Sequence, residues 1–77
     1  MIEYTGYIKK IRFYSESSNY IVALIEVEQE DKLITMNGYM NNFYDYEKYA
    51  FIGDYEIHPK YGKQFKLSEY RIIYAKE

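Results

Sequence analysis

The chain has no cysteine, one histidine and one proline, and none of its apolar runs is long. Without cysteine there is no disulfide framework, no thiol redox centre and no thiolate ligand. Stability must then come from packing and hydrogen bonds, and the composition points to a cytoplasmic protein. A structural zinc needs about four ligands drawn from cysteine, histidine and acidic side chains, so a lone histidine argues against one. His58 stands just before Pro59 at a strand end, where it reads as structural, and no second histidine could form a proton relay with it. The longest apolar run, Tyr20 to Ile25, ends at Glu26 and falls far short of the roughly 20 residues that cross a bilayer. Met1 to Thr5 lack the charged start, apolar centre and small-residue cleavage site of an export signal. No membrane association is expected.

Positive charge is also in short supply. The net charge is −2 and the pI about 5.4, whereas binding of nucleic acid by bulk electrostatics is usually accompanied by a pI above about 9. Any such binding must be local. The charges are unevenly spread: residues 1 to 14 carry Lys9, Lys10 and Arg12 against Glu3, and residues 15 to 31 carry five acids and no base. Residues 60 to 77 carry Lys60, Lys63, Lys66, Arg71 and Lys76 against Glu69 and Glu77. In a closed sheet that brings the first and last strands together, the bases of the two ends would form one patch. The ordinary alternative is a solvated surface of mixed charge.

What is abundant is aromatic. Twelve tyrosines and four phenylalanines make up 21% of the residues, and tyrosine suits a sheet surface where the ring packs and the hydroxyl stays wet. A chain of 77 residues has room for a single domain, residues 1–77. Five strands can be read. Glu3 to Tyr14 places Tyr7, Ile11 and Phe13 on one alternating phase and Lys10 and Arg12 on the other, with Gly6 as a point of bending. Ser15 to Asn19 is a cluster of turn formers, in which Asn19 tolerates a left-handed backbone. Tyr20 to Glu28 follows, buried on both faces in its first half. After the charged turn Gln29 to Lys32, Leu33 to Tyr39 completes a three-strand meander. Met40 to Glu47 is predicted to be irregular, with at most a short helical turn. Lys48 to Ile57 and Gln64 to Tyr74 are the fourth and fifth strands. In the fifth, Phe65 and Leu67 share one phase and Tyr70, Ile72 and Tyr74 the other, which predicts a bulge around Ser68-Glu69. The layout matches an all-β, five-stranded Greek-key barrel of the OB-fold type.

Catalytic signals are weak. Ser15, Ser17, Ser18 and Ser68 have no base identifiable as a partner. Glu26, Glu28, Glu30 and Asp31 read as the wet end of a meander rather than as paired catalytic acids. Gly62-Lys63 lacks the glycine five positions earlier and the following serine or threonine of a phosphate-binding loop; Ile57 and Gln64 stand there instead. The remaining signal is aromatic and basic. Tyr61 lies in a turn where it could stack on a base, flanked by Lys60 and Lys63, with Phe65 and Lys66 close by and Lys9, Lys10 and Arg12 extending the patch from the first strand. The structural alternative is that Tyr61 packs over the barrel mouth and Gly62 only supplies the turn geometry.

The order of several segments completes the picture: Gly6-Tyr7-Ile8-Lys9-Lys10-Ile11-Arg12-Phe13, Asn19-Tyr20-Ile21-Val22, Thr35-Met36-Asn37-Gly38, Gly53-Asp54-Tyr55, and His58-Pro59-Lys60-Tyr61-Gly62-Lys63-Gln64-Phe65. The chain resembles the amino-terminal OB-fold domain of the bacterial RecD-like helicases, superfamily 1 motors related to the exonuclease V alpha subunit. The resemblance covers nearly all of residues 2 to 74, and the His58 to Phe65 run is its specific part. Tyr55 stands where the family usually has tryptophan, and Asn19 where glycine commonly follows an asparagine. The resemblance implies an accessory domain, itself non-enzymatic, of an ATP-dependent DNA helicase that moves 5′ to 3′ and serves DNA repair. Its expected partners are the motor domains of the same polypeptide and single-stranded DNA; ATP and magnesium belong to the motor and no cofactor to this domain. A reading of another class is a stand-alone interaction barrel of the SH3-like kind, with an aromatic groove for a peptide.

Overall fold

The computed structural model describes residues 1–44 and 46–73. Five strands, β1 (Ile2–Ser15), β2 (Tyr20–Val27), β3 (Ile34–Tyr39), β4 (Tyr49–His58) and β5 (Gly62–Ile72), close into a barrel in the order β1-β2-β3-β5-β4. The expected all-β barrel is the fold observed, and among the described residues there is no helix.

Closure depends on the length of β1, which belongs to two ladders. Ile2 to Gly6 pair with Gly53 to Tyr49 of β4, and Gly6 to Ser15 pair with Val27 to Tyr20 of β2. Gly6 is common to both. A Cβ at this position would sit 1.9 Å from the Glu26 carbonyl oxygen, so only glycine lets β1 cross β2 this closely. On the far side the parallel pairs Met36↔Phe65 and Asn37↔Lys66 join β3 to β5 and complete the circuit.

The phase of β1 differs from the expected one. Tyr4, Gly6 and Ile8 face inward, whereas Tyr7, Ile11 and Phe13 are exposed. Tyr4, Gly6 and Ile8 set the inward phase before any irregularity, and two bulges follow: the register passes from Ile8↔Ile25 to Lys10↔Leu24 and from Ile11↔Ala23 to Phe13↔Val22, leaving Lys9 and Arg12 as extra residues. A bulge adds one residue to one strand, so the face presented reverses beyond it. In β5 the expected bulge is present, because Ile52 faces Glu69 and Gly53 faces Leu67, with Ser68 as the extra residue. Phe65 and Leu67 before it are buried, and Tyr70 and Ile72 after it pack against the core. The expectation for Tyr74 lies outside the described residues.

The core is built on Ile8, Ile21, Ile25, Met36, Met40, Tyr49, Phe51 and Phe65. The irregular β3–β4 connection contributes to it through Met40, and Phe43 meets the Tyr14 ring edge-on at 5.0 Å. Its backbone is held by hydroxyl groups: Tyr70 donates to the Asn41 carbonyl (2.8 Å) and the Tyr44 N–H donates to the Tyr49 hydroxyl (2.7 Å). Tyrosine thus supplies the polar partners that a loop on an apolar core needs. Asn37, the one buried polar residue among the described residues, donates to Gln64 Oε1 (2.7 Å) and Glu56 Oε2 (3.2 Å), tying β3 to the β4–β5 hairpin.

Candidate nucleic-acid interface

The outer face of the meander and the β4–β5 turn enclose one groove. Cross-strand partners share a face, so Tyr20 and Tyr39, Val22 and Asn37, and Leu24 and Thr35 form outward rows across β2 and β3. The β1 bulges bring Phe13 beside Val22 and Lys10 beside Leu24 on that same face. Phe13 and Tyr20 have ring centroids 6.3 Å apart, and Tyr20 and Tyr39 5.3 Å apart in an edge-on arrangement. Phe13 (54%) and Tyr39 (64%) are largely exposed. The result is a row of rings across β1, β2 and β3, exposed at Phe13 and Tyr39 and half-buried at Tyr20.

The turn closes the other wall. Pro59, Lys60 and Tyr61 link the paired His58 and Gly62, and Gly62 takes φ +83°, a backbone that side chains rarely adopt. The His58 imidazole organises the turn: its Nδ1 accepts the N–H groups of Lys60 (3.1 Å) and Tyr61 (3.3 Å). The His58 and Tyr61 rings lie 4.9 Å apart, and the Lys60 ammonium is 5.4 Å from the Tyr61 ring centre. Between turn and sheet lies a cavity of about 540 Å³ lined by Arg12, Phe13, Tyr20, Val22, Thr35, His58, Tyr61 and Gln64.

Of the residues singled out from the sequence, Arg12 and Tyr61 line this groove, Lys60 reaches over Tyr61, and Lys10 shares the outer face. Tyr61 is 64% exposed. Lys9 turns to Glu26, 3.6 Å away. Lys63 lies with its ammonium 4.4 Å from the Tyr55 ring centre, and Lys66 is exposed opposite Asp54. Phe65 is the correction: it is fully buried, packed between Tyr4 (5.2 Å) and Tyr55 (5.6 Å), and has no face for a base. Its alternation with Gln64 and Lys66 decides this, since a strand residue whose neighbours are wet points to the core.

Phe13, Tyr20, Val22, Thr35, Tyr39, His58 and Gln64 were not anticipated as parts of a site. The tyrosine excess is the signal that bore on them, but their convergence depends on register. Ionisation in the barrel is perturbed away from the groove. Burial first, then hydrogen bonding to Tyr55 and the nearby Glu30 carboxylate, pushes the Tyr4 hydroxyl well above the ordinary tyrosine range. Burial also raises Tyr49, and the Glu28 carboxylate holds the Lys48 ammonium more firmly protonated.

A closed five-stranded barrel with this strand order, and with an aromatic groove between its β2–β3 face and its β4–β5 turn, is an OB-fold, whose oligomer-binding variants use that face and that loop. Residues 1–74 match the family described as the OB-fold domain of ATP-dependent DNA helicase YrrC, and the chain belongs to that family. No solved structure matches the chain.

Proposed function

We propose that this domain is the accessory OB-fold domain of a RecD-like, ATP-dependent 5′ to 3′ DNA helicase and that it holds single-stranded DNA in the groove between the β2–β3 face and the β4–β5 turn. The observation that carries this reading is the composition of the groove: the exposed rings of Phe13 and Tyr61 and the half-buried ring of Tyr20 beside the cations Arg12 and Lys60, with Tyr39 and Lys10 extending the face. Rings accept any base by stacking and cations track the backbone, the combination that sequence-tolerant single-strand binders use. Chemistry belongs to the motor: ATP and magnesium act there, and this domain contributes a hold on the strand and is itself no enzyme. The parent protein works on DNA repair substrates in the cytoplasm.

The overall net charge of −2 makes long-range attraction small, so binding is weak and local. With Arg12, Lys60 and Lys10 each meeting one phosphate at about −0.7 per contact, log K should fall with log salt at a slope of about −2. The test is a titration of the isotope-labelled chain with oligothymidine at low and near-physiological salt. Saturable, salt-weakened amide shifts at Phe13, Tyr20, Tyr39 and residues 58 to 64 are expected. Absence of shifts at low salt would assign the domain to docking against its motor instead.

A further inference from the structure

Beyond the pairs Met36↔Phe65 and Asn37↔Lys66, β3 and β5 part company. Ile34 and Thr35 keep their partners in β2, and Lys63 and Gln64 keep theirs in β4, but no pair joins the two stretches to each other. The space between them is a cleft of about 190 Å³ lined by Lys32, Leu33, Ile34, Thr35, Tyr55 and Lys63. Thr35 is common to this cleft and to the aromatic groove, so the two adjoin.

We infer that the β3–β5 cleft is a phosphate subsite, which carries the backbone of the same single strand out of the groove past Thr35 and between Lys32 and Lys63. The inference rests on the reading of the groove as a single-strand site. The cleft differs from the groove in chemistry. Its one aromatic, Tyr55, has no ring face free for a base, because the Lys63 ammonium stands 4.4 Å from its centre and Tyr4 and Phe65 meet it edge-on. Two lysines, Lys32 and Lys63, and unpaired strand edges line it, which suit an anion, and no acid does. Two neighbouring carboxylates are engaged elsewhere, Glu56 accepting from Asn37 and Glu30 from the Tyr4 hydroxyl, and Asp31, which precedes Lys32 in the chain, is not part of the lining. A strand that stacks on Tyr61 and Tyr20 and continues along β3 therefore meets rings first and charge second.

Oligothymidines of increasing length distinguish the cleft from the groove. Lys32→Met and Lys63→Met should each flatten the salt dependence of binding by about 0.7 in slope for long oligomers and leave the shortest binding oligomer unaffected. Tyr61→Ala should weaken every length alike. Wild-type slopes in both lysine variants at all lengths, with Tyr61→Ala still weakening binding, would overturn the subsite and leave the groove standing. No binding of any length by the unaltered chain would overturn both. Inorganic phosphate is the second probe: if it shifts the Thr35 and Lys63 amides while long oligomers do not, the cleft takes a free anion and the strand path is wrong.

Discussion

Tyr61 and Phe65 are four positions apart in one hairpin and have opposite fates. Tyr61 sits in the turn with most of its ring in water, so Tyr61→Ala should change stability by less than about 0.5 kcal/mol while removing a stacking platform worth about 1–3 kcal/mol, a loss of about 5- to 150-fold in oligothymidine affinity. Phe65 fills the barrel between Tyr4 and Tyr55. Phe65→Ala should cost about 3–5 kcal/mol, a large part of the 5–15 kcal/mol that holds a typical domain together. Chemical denaturation of the two variants beside an affinity titration separates the roles. A Tyr61→Ala variant that unfolds easily would mean that the ring is structural. His58 lies between these extremes. Its Nδ1 accepts two turn N–H groups, each worth about 0.5–1.5 kcal/mol, and its ring backs Tyr61. His58→Ala should therefore lower the melting temperature modestly and also weaken DNA binding, because Tyr61 loses its orientation; amide shifts of Lys60 and Tyr61 report the turn directly.

At the scale of the strands, β1 bears the greatest constraint because it serves both β2 and β4. Gly6→Ala would drive a methyl group into the Glu26 carbonyl oxygen, and the strand must shift at a cost of about 1–3 kcal/mol. Denaturant unfolding would show this as a lower midpoint, and unchanged stability would mean that the crossing is looser than the register implies. How legible these elements were depends on where the phase changes. The β5 bulge could be read because apolar residues switch phase at Ser68-Glu69 and nowhere else in that strand. Asn19 could be read as well: it takes φ +65° and its side chain accepts from the Tyr14 hydroxyl at 3.0 Å. In β1 apolar side chains stand on both phases and two bulges interrupt the pattern, so alternation alone does not say which phase is inward; Tyr7 and Phe13, on the same phase, both point outward. The groove suffers from the same limit. Its turn wall, Lys60 and Tyr61, is contiguous and was visible, while Phe13, Tyr20 and Tyr39 meet only through a register that pairs Phe13 with Val22 and Tyr20 with Tyr39.

For the whole molecule, closure of the barrel brings together groups that lie far apart in sequence, and the clearest case is the Tyr4 hydroxyl. Tyr4 comes from β1, Tyr55 from β4, Phe65 from β5 and Glu30 from the β2–β3 connection. The Tyr4 hydroxyl lies 3.0 Å from that of Tyr55 and donates to the Glu30 carboxylate at 3.3 Å. Ionising it would place a negative charge in a buried site beside a carboxylate, which is why its pKa is raised in the folded chain. An unfolded chain releases this proton near the ordinary value of 10.0. Above that pH the folded state holds a proton that the unfolded state has lost, so the unfolded state binds fewer protons and stability falls as pH rises. The contribution is complete below pH 10 and diminishes above it, at up to about 1.4 kcal/mol per pH unit for each tyrosine so held. Tyr49, also raised by burial, acts in the same direction. Denaturant unfolding followed from neutral pH to above pH 10 should show a plateau and then a decline, and Tyr4→Phe should make the decline shallower because the group that must ionise is gone. An undiminished decline in that variant would place the linkage at Tyr49 or elsewhere. It would then follow that the β1–β4–β5 junction is more open to water than its packing implies.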